Sequence, residues 1–453
     1  MNVRQRNELF LQANLEDPSL FPQLREISKM PVVFEPSFGL DRMPEEPGLL
    51  MIRGARQLGK STWLEQNLKR TIQAEGPGSA VYLNGDEILN SDRLAEEIRF
   101  YLPFLRSSEK DSTRGVPKIF IDEISAVPGW ERAIKRLYDS GDTRHVLIVT
   151  TGSKAIDLRR GHERLPGRKG RLKRTNFLYT PVGYQQYKEK CEAILREKIA
   201  ATGASIPSTD PVLVSYLLTG GSPLAINELI RYGSIPEYVT ELTRDWILGE
   251  CAQQGRSRNI LTWVIHSLLE RGGTPVSLAK LAQVSGAANN TVIQGYVELL
   301  NDVLAMSVSL QIDGNTGAPI PRKSHKHHWT FLLAATAFHP ARPRCVEDFL
   351  KFSAEEQGWW LEWLVAQELW RRNAIAGAED PNTQYFWQSK EHELDFKVSS
   401  GEWIEVKRGR ASSLEFGWFP KVFPKDRLTV ICTTPFESPL VRGVTLEDFL
   451  MQK

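Results

Sequence analysis

Gly54-Ala55-Arg56-Gln57-Leu58-Gly59-Lys60-Ser61 has the spacing GxxxxGK[ST]. In that pattern the glycines let backbone N–H groups wrap a chain of phosphates. Lys60 brings a point charge to the β- and γ-phosphates, and Ser61 offers a hydroxyl to Mg²⁺. Thr62 follows in the same turn and joins Gly54–Ser61 among the residues expected to hold ATP. The chemistry also needs an acidic partner, and Lys118-Ile119-Phe120-Ile121-Asp122-Glu123 supplies an apolar run ending in two carboxylates. Asp122 is expected to hold Mg²⁺ through its water shell, and Glu123 to orient or activate the attacking water. A further apolar run ends in Thr150-Thr151-Gly152-Ser153. A polar side chain there would reach the γ-phosphate or the lytic water. Ser153 is narrowly preferred to Thr151, and a plain strand-end turn is the competing reading.

A second group of chemistry-bearing residues lies near the C-terminus, in HELDFKVSSGEWIEVKRGR. Leu394, Phe396 and Val398 alternate with polar residues, and Ser399-Ser400-Gly401 suits a three-residue hairpin loop. Centred on Ser400, that hairpin sets Asp395 directly across from Glu405, with Cβ atoms about 5 Å apart. Lys407 shares their face. Two carboxylates so close repel, and a divalent cation between Asp395 and Glu405 would remove that cost. A one-residue slip would undo the convergence. An ordinary amphipathic hairpin, with Glu393 salt-bridged to Lys407, is the alternative. Upstream, a helical wheel sets Glu362 among Trp359, Val365, Ala366 and Leu369. A carboxylate in an apolar sector is costly unless paired or metal-linked, so Glu362 is a candidate third acid. Glu368, four residues before Arg372, reads as a helical ion pair.

The elements that must position these residues are legible in outline. Short apolar strands at Leu49–Ile52, Ala80–Leu83, Lys118–Asp122 and His145–Thr150 alternate with helical patterns such as Ser61–Ala74. That alternation predicts an α/β fold with a parallel sheet covered by helices on both faces. Five segments are expected: a lead-in (1–48), a nucleotide-binding core (49–180), a helical region (181–271), a helix-turn-helix or winged-helix connector (272–345) and a C-terminal α/β domain (346–453). Seven of the twelve tryptophans lie between Trp359 and Trp418, so a separate core is expected there. The cluster reads better as core than as a base-stacking platform. His325, His327 and His328 read as part of a basic loop. The helix-turn-helix candidate carries Lys280 alone among residues 275–301 and suits a spacer better than a groove reader.

Composition excludes several classes. The 453 residues carry 57 basic and 55 acidic side chains, a net charge of +2, so any nucleic-acid contact must come from local patches. No apolar run is long enough to span a bilayer, and the start of the chain lacks a signal-peptide core. Four scattered cysteines argue for a reducing cytoplasm. A basic run, Arg159, Arg160, Arg164, Arg168, Lys169, Arg171, Lys173 and Arg174, has three readings: a solvated surface, a DNA-phosphate contact, or a finger reaching a neighbouring subunit's nucleotide.

GARQLGKST, KIFIDEISAVPGWERAIKRLYDSG, TTGSKA and LPGR together resemble the prokaryotic AAA-like ATPases of the STAND-related branch. These join a GxRQxGKT loop to a C-terminal restriction-endonuclease-like domain. The resemblance spans most of the chain. It implies ATP hydrolysis with Mg²⁺, a P-loop NTPase fold and a homo-oligomer. It also makes Arg168, in the matching Gly-Arg pair, the finger candidate. In the C-terminal domain it implies the D…ExK set of restriction-type nucleases: Asp395, Glu405 and the Val406 carbonyl holding Mg²⁺ or Mn²⁺, Lys407 polarising the phosphate or lowering the pKa of the attacking water, and Glu362 from a GxxxE element. Gly220-Gly221-Ser222-Pro223 resembles a Gly-x-Pro element near the base of the nucleotide, though a helix-capping turn fits as well. Residues 323–338 depart from the family pattern. The expectation is an ATPase coupled to metal-dependent DNA cleavage in DNA processing or genome defence, with DNA and the proteins of a defence or mobile-element system as partners and no membrane. The rival expectation is a nucleotide-dependent switch, scaffold or DNA motor whose nuclease fold is inactive.

Overall fold

The computed structural model describes residues 1–106, 115–153, 173–201, 210–320, 322–378, 380–399 and 401–452. The chain divides into two compact units, Met1–Thr180 and Pro181–Lys453.

The first unit is built on a parallel sheet of five strands: β1 (Gly48–Arg53), β2 (Ala80–Asn84), β3 (Lys118–Asp122), β4 (Leu147–Gly152) and β5 (Arg174–Leu178). Their order is β2-β3-β4-β1-β5. The inner strands are apolar on both faces because helices cover both. Leu49 and Met51 of β1 join Leu94, Ile98, Trp130, Ile134 and Leu137 of helices Ser91–Tyr101 and Trp130–Asp139 in one core. Helix Lys60–Glu75 packs against β3 and β4. Edge strand β5 is only half-buried, so its sequence, RTNFL, needs few apolar residues. For that reason the apolar pattern anticipates four strands of this sheet and not the fifth.

The other edge is closed by a side chain. Asn7, on helix Val3–Leu11, has no solvent exposure. Its amide donates to the Tyr82 carbonyl at 2.7 Å and its carbonyl accepts from the Tyr82 N–H at 2.8 Å. One asparagine thus replaces a strand neighbour for the outer rim of β2.

The second unit begins with five helices, Tyr184–Ala201, Pro211–Thr219, Pro223–Tyr232, Glu237–Gln253 and Arg258–Leu269. The Gly220-Gly221-Ser222-Pro223 stretch is a capping turn: Gly220 ends one helix at φ 57°, and Ser222 Oγ accepts from the Ala225 N–H of the next. Two short helices follow, Leu278–Ser285 and Asn290–Asp302. Then come β6 (Met306–Gln311) and β7 (Lys326–Trp329), which pair antiparallel. Strands β8 (Thr383–Gln388) and β9 (Glu393–Leu394) complete a sheet ordered β7-β6-β8-β9. A further sheet, β10-β11-β12-β14-β13, is built from β10 (Phe396–Ser399), β11 (Glu402–Val406), β12 (Arg427–Ile431), β13 (Phe436–Glu437) and β14 (Val441–Val444). The long helix Ala354–Ile375 opens with a capping box at Ser353 and Glu356. Trp360, Trp363, Trp370 and Trp403 are almost solvent-free, so these tryptophans serve as core.

Replacing Asn7 by alanine leaves two buried backbone groups of Tyr82 unpaired. Such groups cost about 1–3 kcal/mol each. The expected result is a lower melting temperature of the first unit and faster hydrogen exchange at the Tyr82 amide. Unchanged exchange would show that the edge is not held by Asn7.

Candidate active sites

The loop 54–59 runs from the end of β1 to helix Lys60–Glu75. Gly59 caps that helix at φ 101°, a conformation that an L side chain rarely adopts. Lys60 is buried, and its ammonium donates to the carbonyls of Gly54 at 2.9 Å and Ala55 at 2.7 Å. Burial pushes its pKa down, against the pull of Glu123 and Asp122.

Strand order brings the acids to this loop. Because β4 lies between β1 and β3, its end is interposed between the loop and the carboxylates. Thr151 Oγ donates to Asp122 and accepts the Glu123 N–H at 3.1 Å. Ser153 donates to Glu123 Oε1 through its amide at 2.8 Å and through its hydroxyl. Arg56 Nε reaches Ser153 Oγ at 3.4 Å. Sequence reasoning ranked Ser153 above Thr151, but both touch the acidic pair. Glu123 sits at φ 48°, the left-handed region, which turns its side chain back toward β4.

The two acids differ electrostatically. Burial raises the Asp122 pKa, with the Thr151 and Ser61 hydroxyls acting against it. Burial also pushes Glu123 up, but Lys60, the Ser153 hydroxyl and amide, and Arg56 outweigh it and hold that carboxyl below its usual range. Glu123 is therefore ionised at neutral pH, as a water-orienting base requires. The Ser61 hydroxyl against the half-buried Asp122 carboxylate is a hard-oxygen pair that fits Mg²⁺. Arg168 and most of the surrounding basic run lie outside the described residues.

Residues 46–182 match the model of a family described as an AAA domain. That match covers the loop 54–61 and both acids, Asp122 and Glu123. An uncharacterized protein of Methanocaldococcus jannaschii is 30% identical over 112 residues, 24% of this chain and 22% of that protein. The chain thus matches about a fifth of the length of that curated relative. Among solved structures, the Walker-type ATPase of Pyrococcus abyssi is similar with a TM-score of 0.41 and 16% identity, covering 72% of this chain and 96% of that one. The ORC2 protein of Aeropyrum pernix is similar with a TM-score of 0.34 and 10% identity, covering 58% and 82%. Both superpose loosely. Among the described residues, no helix is long and apolar enough to cross a membrane.

The second unit gathers charge at the β10–β11 hairpin. Phe396 pairs with Ile404 and Lys397 with Trp403, a register that sets Asp395 beside Glu405. Asp395 N–H donates to Glu405 Oε2 at 3.3 Å, and Asp395 Oδ2 accepts the Val406 N–H at 2.9 Å. Lys407 Nζ lies 2.6 Å from Glu405 Oε1. Glu362 is brought in by helix Ala354–Ile375, and Gly273 gives it room: a Cβ there would stand 2.5 Å from Glu362 Oε2. Glu368 binds Arg371 and Arg372 instead.

Two partners escaped sequence reasoning. Lys326, not singled out there, and His328, read there as part of a basic loop, lie on β7 and are 1% and 0% exposed. Lys326 Nζ is 2.8 Å from Asp395 Oδ1 and 3.1 Å from Glu362 Oε1, and it also pairs with Glu393. Glu393 therefore faces Lys326 rather than the Lys407 pairing considered from the sequence. His328 Nε2 lies 2.9 Å from Glu362 Oε1. The available signal was the period-two pattern Lys326, His328, Thr330 before an apolar run. Histidine and lysine in that pattern do not announce burial.

A divalent cation does not fit this cluster as it stands, because the oxygens it would need already face an ammonium. Among the described residues, no group of three or more histidine, cysteine, aspartate and glutamate side chains is arranged to hold a metal. Burial tends to raise the Glu362 carboxyl, but Lys326 and His328 hold it down to about 2. Glu405 is pushed up to about 8 by burial and the neighbouring Asp395, against Lys407. Lys407 is itself raised by Glu405. Burial and Asp395 act together on Glu405, and the opposing Lys407 side chain is 43% exposed.

The pH dependence follows from the Glu405 shift. Its ordinary value is 4.5 and its folded value about 8, so between them the folded state holds a proton that the unfolded state has lost. Stability must then fall as pH rises across that window. Glu405→Gln removes this loss. The melting-temperature difference, variant minus wild type, should climb from pH 4.5 to about 8 and level off above it. A difference independent of pH would show that Glu405 is not raised.

Proposed function

We propose that the protein is an ATP-operated switch that engages DNA, in which the AAA-like domain controls a C-terminal domain of restriction-endonuclease type. The observation that carries the ATPase half is Glu123, ionised and held by Ser153 beside Lys60 and Asp122. That set suits water attack on a γ-phosphate: Lys60 and the loop amides hold the phosphates, and Glu123 orients the water. Ser61 and Asp122 would hold Mg²⁺, which supplies charge neutralisation at the phosphates. Arg168 is retained as the finger candidate on the strength of its Gly-Arg context.

The C-terminal reading rests on the resemblance together with the hairpin that juxtaposes Asp395, Glu405 and Lys407. DNA engagement is supported by helices Leu278–Ser285 and Asn290–Asp302 followed by the β6–β7 pair, a winged-helix order of elements. The second helix leaves Asn290, Thr291 and Gln294 exposed, side chains suited to base edges or phosphates. The Lys326 ammonium among the carboxylates favours a domain that binds without cutting. The second reading, Mg²⁺- or Mn²⁺-dependent DNA cleavage in a defence setting, is favoured by the convergence of Asp395 and Glu405.

Lys60→Ala should lower ATP turnover by about 100-fold or more, as loss of a preorganised charge does. Glu123→Gln should retain ATP binding and slow turnover about 100- to 10,000-fold, the range for a lost general base. Unchanged turnover in either variant would overturn the site. Incubation of linear, circular, branched and single-stranded DNA with the protein in Mg²⁺ and in Mn²⁺, with and without ATP, separates the two readings. The expected result is ATP-dependent DNA binding with intact DNA. Cleavage that disappears in Glu405→Ala would instead establish the nuclease.

A further inference from the structure

Lys326 is placed where neither solvent nor a mobile loop can explain it. It lies on a regular strand, paired with Ser309 of β6, and its side chain is 1% exposed. An ammonium has three N–H donors. Here they face three carboxylates from separate elements: Glu362 of the long helix, Glu393 of β9 and Asp395 at the start of the hairpin. The ring of Phe386 closes one side, 5.6 Å from Nζ. Two of the acids have their second oxygen engaged as well. Asp395 Oδ2 accepts the Val406 N–H and Glu393 Oε2 accepts from Gln388 at 2.8 Å, while His328 Nε2 shares Glu362 Oε1 with the lysine.

Oxygen atoms from three carboxylates around one point are what a hard divalent cation gathers. The lysine holds that point with a single charge and a fixed tether. We propose that Lys326 is a built-in cation that replaces a divalent metal in the carboxylate cluster, and that removing its ammonium turns the cluster into a Mg²⁺/Mn²⁺ site. The contacts that carry this inference are independent of the C-terminal reading given above. Its meaning for cleavage, namely that the wild-type domain holds DNA without hydrolysing it, rests on that reading. β7 carries the lysine on a ladder of four residues that also includes the buried His327 and His328. Displacing Nζ by a metal would therefore leave an ammonium with no water nearby, an unfavourable exchange.

The test is a Mn²⁺ titration of the full chain without nucleotide or DNA, read by electron paramagnetic resonance of free Mn²⁺ and by thermal melting. The proteins are wild type, Lys326→Met, Lys326→Arg and the double variant Lys326→Met/Asp395→Asn. Lys326→Met should bind Mn²⁺ at least about tenfold more tightly than wild type, because three anionic ligands are released. Mn²⁺ should raise its melting temperature, the double variant should lose both effects, and Lys326→Arg should behave as wild type. If Lys326→Met folds poorly alone, Mn²⁺ should restore its folded signal. Failure of Mn²⁺ to bind or rescue it would overturn the proposal, and so would wild-type Mn²⁺ binding that depends on Asp395 and equals that of Lys326→Met. Neither result depends on ATP turnover or DNA binding, so a failure here is separable from a failure of the proposed function.

Discussion

A charge buried without a partner is the constraint around which both units are arranged. Desolvating a carboxylate costs several kcal/mol even after relaxation, so each buried acid must have its counter-charge or donors built into the fold. In the first unit Asp122 and Glu123 end a strand whose preceding residues are wholly buried, and they meet Lys60, Thr151 and Ser153. In the second, Glu362, Glu393, Asp395 and Glu405 are held by Lys326, Lys407 and His328.

Strand order converts that constraint into geometry. A parallel sheet delivers the C-terminal ends of neighbouring strands to one rim, where crevices form. Inserting β4 between β1 and β3 gives the rim an extra pair of hydroxyls, which Asp122 and Glu123 use. In the second unit the short β9 leads straight into β10, and this bend puts Glu393 and Asp395 on the same ammonium while β11 presents Glu405 from across the hairpin. Residues far apart in sequence, Lys326, Glu362 and Asp395, meet only because two sheets and a helix end at the same place.

What was legible in the sequence follows the same division. The loop 54–61 and the acidic strand end could be read directly, because local backbone geometry and a buried apolar run fix both. The inner hairpin register was legible from alternation, and Phe396 pairs with Ile404 accordingly, but the three-residue Ser399–Gly401 loop was not: Ser399 itself pairs with Glu402, with a register shift between Lys397 and Ser399. Strand β5 was not, since an edge strand can be polar. Lys326 and His328 were hidden for a different reason. Their burial depends on acids from other segments, and no local pattern distinguishes a lysine destined for an internal ion cluster from one on a basic loop. The role of Asn7 was likewise invisible, because a lone asparagine in a helix gives no sign that it will close a sheet edge.

The two clusters balance their charge in different ways, and the difference bears on function. In the nucleotide-loop site Glu123 is served by Lys60 and Arg56, but Asp122 leans on Lys60 and on neutral donors: Ser61 and Thr151 lend it hydrogen bonds but no charge. Asp122, raised by burial, stays short of positive charge, and a cation arriving with a nucleotide would supply it. In the C-terminal cluster the full charges are already present as Lys326 and Lys407, fixed to β7 and to the end of β11. A site that lacks a cation can respond to one by changing the energy of its strand ends. A site that contains its own cation responds weakly. Under the proposed function, that asymmetry places the response to nucleotide in the first unit and a pre-balanced charge cluster in the second.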